Sequence, residues 1–137
     1  MQWCHMTFTS SSISSFRHNW ALTGRGIFTE NSTLDVAGNN SFFNNSASYS
    51  GGGMYAVRTS LNLQGNNYLE SNCATRDGGG IYIREISTIN LSGTTSFLTN
   101  SANRGGGILL EDSILTTQAK KMPHICHKLQ GKIVKSS

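Results

Sequence analysis

Apolar and polar positions alternate along most of the chain, and the alternation restarts at a fixed interval. Leu34/Val36, Leu61/Leu63 and Ile89/Leu91 are apolar pairs split by one polar residue, each closed by a glycine, Gly38, Gly65 or Gly93. Period two marks half-buried strands rather than helices. Upstream of such pairs stand Gly51-Gly52-Gly53-Met54, Gly78-Gly79-Gly80-Ile81 and Gly105-Gly106-Gly107-Ile108, spaced by 27 residues, with a degraded copy at Gly24-Arg25-Gly26-Ile27. Downstream, a bulky apolar residue precedes an asparagine by three places: Phe16 and Asn19, Phe42 and Asn45, Leu69 and Asn72, Phe97 and Asn100. A small residue soon follows, Ala21, Ala47, Ala74 or Ala102. Each unit is therefore expected to hold three short strands separated by turns rich in Gly, Ser and Asn.

A unit of this size cannot bury its apolar face alone, so the units must stack. The expected fold is all-β, a right-handed parallel β-helix of about four coils of 27 residues. Stacking places Ile27, Met54, Ile81 and Ile108 in one inward column and Phe42, Leu69 and Phe97 in another. Asn45, Asn72 and Asn100 become a ladder at a turn, their amides bonding coil to coil. Asparagine suits that place because it tolerates left-handed backbone and carries both donor and acceptor. The glycine triads, with Gly53, Gly80 and Gly107 as their third members, serve tight turns or close approaches.

The pairing of Phe42-Phe43-Asn44-Asn45 with Gly51-Gly52-Gly53-Met54, and of Phe97-Leu98-Thr99-Asn100 with Gly105-Gly106-Gly107-Ile108, resembles the repeat of chlamydial polymorphic outer membrane proteins. Phe16-Arg17-His18-Asn19 and Leu69-Glu70-Ser71-Asn72 are looser copies, and the resemblance covers roughly residues 3–118. The third glycine departs from that family, which usually has alanine there. The resemblance implies a β-helical, surface-exposed passenger that contributes to adhesion. Nothing in the chain resembles the family's membrane-embedded C-terminal barrel, so that location does not carry over.

Composition divides the chain in two. The net charge of +4 conceals a repeat body, residues 1–118, with six arginines against seven acids, and a tail, 119–137, that holds all five lysines and no acid. A near-neutral, lysine-free body argues against a nucleic-acid surface. Cys4, Cys73 and Cys126 form no disulfide pattern. Cys73 replaces the serine of Ser46 and Ser101 and is expected to be a small buried thiol. No apolar run reaches the length of a membrane span, and the first residues lack the form of a signal peptide. The expectation is a piece of a longer array, further repeats of which belong to an extracellular or cell-surface parent. A tail that folds over the last coil as a cap is the alternative.

Candidate chemistry follows from the stacking. Asn31, Arg58, Glu85 and Asp112 fall in one column, and Glu30, Val57, Arg84 and Glu111 in its neighbour. Arg58 is expected beside Glu85 and Arg84 beside Glu111, as cross-coil ion pairs or as a polar strip for an extended sugar chain. Because β-helices also host pectin-cleaving enzymes, Glu85, Glu111 and Asp112 are the acids a hydrolytic or lyase reading would need. No catalytic residue and no cofactor is assigned. His124, Cys126 and His127 lie close in sequence but supply too few ligands for a structural zinc site. Asn31, Asn39, Asn44 and Asn90 open glycosylation triplets that a secreted parent could use. The function expected is a non-catalytic structural or adhesive segment that contacts carbohydrate or a cell-surface protein. The alternative is a polysaccharide-degrading enzyme.

Overall fold

Among the described residues, the alternating pairs and the residues around them form sixteen strands. The structure, a computed structural model, describes residues 4–8, 13–24, 26–117 and 130–135. A partial first coil holds β1 (Cys4–Phe8), β2 (Ile13–Arg17) and β3 (Trp20–Ala21). The second holds β4 (Ile27–Glu30), β5 (Ser32–Val36), β6 (Asn39–Phe43) and β7 (Ser46–Ala47), and the third β8 (Met54–Val57), β9 (Ser60–Leu63), β10 (Asn66–Glu70) and β11 (Cys73–Ala74). The fourth holds β12 (Ile81–Arg84), β13 (Thr88–Leu91) and β14 (Thr94–Leu98). The chain then enters β15 (Ile108–Thr117), and β16 (Gln130–Lys135) lies against it. A full coil thus carries three strands of four or five residues, as expected, and a fourth of two.

Among the described residues every pairing is parallel, and each strand pairs with its equivalent one coil away, so the fold is a parallel β-solenoid. One sheet runs β14-β10-β6-β2 and a short one β11-β7-β3. β15 joins the remaining strands into one sheet, because its start pairs with β12 and its end with β13. The register aligns Ile27, Met54, Ile81 and Ile108 across four coils, and Phe16, Phe42, Leu69 and Phe97 likewise. Phe42, Leu61, Leu69, Ile81, Ile89, Ile108 and Leu115 are fully buried. The Phe16 and Phe42 rings stack with centroids 4.8 Å apart. Burying each such side chain stabilises the fold by about 1.5–3 kcal/mol.

The polar interior is as regular as the apolar one. Asn72 donates from Nδ2 to Asn100 Oδ1 at 3.0 Å and to the Phe42 carbonyl at 2.8 Å. Its own Oδ1 accepts from the backbone and side-chain nitrogens of Asn45, at 3.1 and 2.9 Å. Asn45 repeats the arrangement with Asn19 and the Phe16 carbonyl. Left-handed backbone falls on the residue before each asparagine, at His18, Asn44, Ser71 and Thr99, and not on the ladder itself. The sharp corner thus turns one residue early, which leaves the amide free to point along the stack. A second interior pair was not foreseen: Asn40 donates to Asn67 Oδ1 at 3.1 Å, both side chains buried.

The triads work by two different means. The first glycine, Gly51, Gly78 or Gly105, has φ between 61° and 71°, a conformation that costs a residue with Cβ. At the third, a Cβ on Gly53 would lie 2.6 Å from the Gly80 carbonyl oxygen, and one on Gly80 would lie 2.4 Å from that of Gly107. Glycine here permits adjacent coils to touch through their backbones.

Two expectations need correction. The period is not constant: Ser60 pairs with Thr88, an offset of 28, and Thr88 with Ile114, an offset of 26. Ile86 is the inserted residue, with φ 55° beside Glu85 at 57°. A compensating deletion falls between Ser101 and Arg104, since Cys73 bridges Ser101 but Asp77 bridges Arg104. Cys73 is exposed, not buried. Alternation decides this, because Asn72 and Ala74 take the inward positions on either side of it. Trp20, in the short strand β3, is exposed as well. In the tail, 130–135 continue the sheet: Ile114 pairs with Lys132 and Thr117 with Lys135. Residues 118–129, with His124, Cys126 and His127, lie outside the described residues.

Candidate functional site

Each glycine triad makes a corner without side chains, and the residues on its two sides face one another across it. On the near side stands the column Ser50, Asp77, Arg104, immediately before the triads, its members bridged coil to coil. On the far side lie Tyr55 and Tyr82, the second residues of β8 and β12, register partners whose rings stack at 5.0 Å. Tyr55, Val57, Tyr82 and Leu109 form a buried cluster of their own outside the main core. β8 is consequently buried on both faces, which explains its unbroken apolar run.

Between the two sides lies a groove of about 300 Å³. Arg104 ties it together: Nε donates to Asp77 Oδ1 at 2.6 Å, and Nη2 donates to Glu111 Oε1 at 3.1 Å. Ser50 Oγ also reaches Asp77, at 3.4 Å. Tyr82 Oη donates to Glu111 Oε2 at 2.5 Å. Burial, and then the Glu111 hydrogen bond, push the Tyr82 phenol above its usual pKa, and the Asp77 hydrogen bond raises that of Arg104. At the rim, Arg76 lies with its guanidinium carbon 4.8 Å from the centroid of the Tyr49 ring, and its Nη1 donates to Tyr49 Oη at 2.8 Å. Tyr49 remains 48% exposed. A rigid surface with an accessible aromatic ring and fixed charged donors can hold a polar ligand that also presents an apolar face.

The expected polar strip divides. Arg84 and Glu111 line the groove, whereas Arg58, Glu85 and Asp112 lie on the next corner, where Asn31, Arg58, Glu85 and Asp112 all have left-handed backbone. Arg58 pairs with Glu85 and Glu30 and donates from Nε to Asn31 Oδ1 at 2.7 Å. The expected Arg84–Glu111 pair does not form. Arg84 turns to its neighbour Glu85, and Glu111 is held by Tyr82 and Arg104. These pairs are all partly exposed to solvent, and such pairs are worth about 0–1 kcal/mol each.

Of the asparagines opening glycosylation triplets, Asn39 and Asn44 are exposed. Asn31 and Asn90 are half-buried, the first accepting from Arg58 and the second donating to Asn62 at 2.7 Å. Sequence reading missed Tyr49, Tyr55, Arg76, Asp77, Tyr82 and Arg104. The signal was present in the columns flanking each triad, Ser50/Asp77/Arg104 and Tyr55/Tyr82, at the same interval as the glycines. Among the described residues no group of three His, Cys, Asp or Glu side chains could hold a metal ion. Comparison of the chain with protein-family models, with curated proteins and with solved structures finds no match.

Proposed function

We propose that this chain is a rigid, non-catalytic solenoid segment of a larger cell-surface or extracellular protein, and that it contacts carbohydrate through the groove beside the glycine corners. The observation that carries this reading is the groove itself, with exposed Tyr49 and Arg76 at its rim and Asp77, Arg104, Tyr82 and Glu111 locked in its floor. Preorganised side chains bind without a large ordering cost. Resemblance of the Phe-x-x-Asn and Gly-Gly-x-Ile marks to the chlamydial polymorphic outer membrane protein repeat supports an adhesive role. The third glycine, where that family usually has alanine, is the point of departure.

A glycan panel and fixed cells test the reading. The chain should be retained without depolymerising anything, and a Tyr49→Ala, Arg76→Ala double variant should be lost from the surface. Absence of retention on every glycan and cell type would sink the proposal.

A polysaccharide-degrading enzyme is the second reading, favoured by the presence of two carboxylates, Asp77 and Glu111, on one groove. Against it, both carboxylates are already hydrogen-bonded by Arg104, and Glu111 by Tyr82 as well, whereas glycoside hydrolysis needs two carboxyls free to face the scissile bond. Cleavage of a pectin-type polymer, abolished in Asp77→Asn and Glu111→Gln, would establish the enzyme instead.

A further inference from the structure

We infer that the groove recognises a carboxylate-bearing sugar, a uronic acid residue within a glycan, and that Arg76 is the group that holds the carboxylate. The inference rests on the glycan-contact reading above and adds the chemical class of the ligand.

Three arginines and two carboxylates line the groove, and the carboxylates are already committed. Asp77 and Glu111 share Arg104, and Arg84 is held by Glu85. Arg76 alone of the three arginines has no acidic partner among the described residues, and its hydrogen bond goes to the neutral Tyr49 hydroxyl. The fork of a guanidinium carries five donors and matches a carboxylate bidentately. Arg76 uses Nη1 and keeps the rest of its fork for a ligand.

The cation–π contact with Tyr49 and the hydrogen bond to its hydroxyl hold the guanidinium beside the ring before any ligand arrives. Tyr49, itself half-exposed, offers apolar surface beside the charge. A sugar has such a dual character, with C–H groups on one face of its ring and polar substituents around the edge, and a uronic acid adds a carboxylate to that edge. A volume of about 300 Å³ is at the small end for ligand sites and suits one residue of a chain that continues past the rim. A neutral sugar would offer Arg76 hydrogen bonds but no ion pair, so an acidic sugar makes the stronger contact.

The test measures binding of the full chain, by ligand-observed NMR and calorimetry, to a tetrasaccharide of alternating glucuronate and N-acetylglucosamine. The same tetrasaccharide with its carboxyls reduced to alcohols, and an oligoglutamate peptide of equal charge, are the comparisons. The acidic sugar should bind, carboxyl reduction should weaken it roughly tenfold or more, and Arg76→Gln should do the same. Arg76→Lys should recover part of the affinity, since it keeps the charge and loses the fork. Equal binding of the acidic and reduced sugars would overturn the carboxylate inference and leave the glycan reading standing. Binding of neither would overturn both. An oligoglutamate that bound as tightly as the sugar would show attraction to charge alone and would also overturn the inference.

Discussion

Arg104 and Asp77 occupy the same place in successive repeats, each immediately before a glycine triad, and their side chains meet across the coils at 2.6 Å. The Asp77 side chain is 6% exposed and that of Arg104 is 31% exposed. Removing the cation leaves a nearly buried carboxylate with only the distant Ser50 hydroxyl, at 3.4 Å. Arg104→Ala should therefore destabilise by about 2–4 kcal/mol, somewhat less than a fully buried pair because the arginine is partly exposed. Asp77→Ala leaves a cation that can turn to water and should cost less. Urea denaturation of the two variants checks the asymmetry, and an equal or reversed cost would refute it.

Asn72 is fully buried and uses both donors and both acceptor sites of its amide. Asn72→Ala strands the Asn45 nitrogens and the Phe42 carbonyl inside the stack. The expected loss is about 2–4 kcal/mol, from more than one unsatisfied buried group. Asn100→Ala, half-buried near the end of the ladder, should cost clearly less. Thermal melts rank the two.

Ile86 is a β-branched residue with φ 55°, and it is 89% exposed. It loses nothing by becoming polar, while its backbone sits in a region that β-branched residues avoid. Ile86→Asn should raise stability by about 1 kcal/mol. A destabilised Ile86→Asn variant would mean that the isoleucine makes contacts that its exposure conceals.

Tyr82 sets an alkaline limit. Its phenol is raised above the ordinary value of 10.0, first by burial and then by Glu111. The folded state therefore keeps a proton that the unfolded state releases. Stability contributed by this group is complete below about pH 10 and falls as pH rises beyond it. In Tyr82→Phe that fall should be shallower, as read from denaturant midpoints across the alkaline range.

The asparagine ladder and the core columns were legible because stacking places equivalent positions one above another, so a linear interval translates directly into contact. Asn45 bonds Asn72 for the reason that they share a place in the repeat. The slip at Ile86 was concealed by its own compensation: one residue gained there and one lost before Arg104 restore the spacing of the triads. Offsets of 28 between Leu61 and Ile89 were visible, but only pairing shows which residue is the extra one.

Alternation, glycine spacing and the repeated asparagine were sufficient for a parallel solenoid and for its inward columns, since each is a local pattern that one coil imposes on the next. Corners are different. Arg104 reaches Glu111 seven positions on, and Tyr82 reaches the same carboxylate from the neighbouring coil, because a triad without side chains lets the two sides of a bend close on each other. Arg84 had an equal claim on Glu111 by register and lost it to partners that only the bend brings near. Periodicity orders residues along and across the stack. Which charges meet over a concave corner depends on the angle of the turn, and only the tertiary structure supplied that angle.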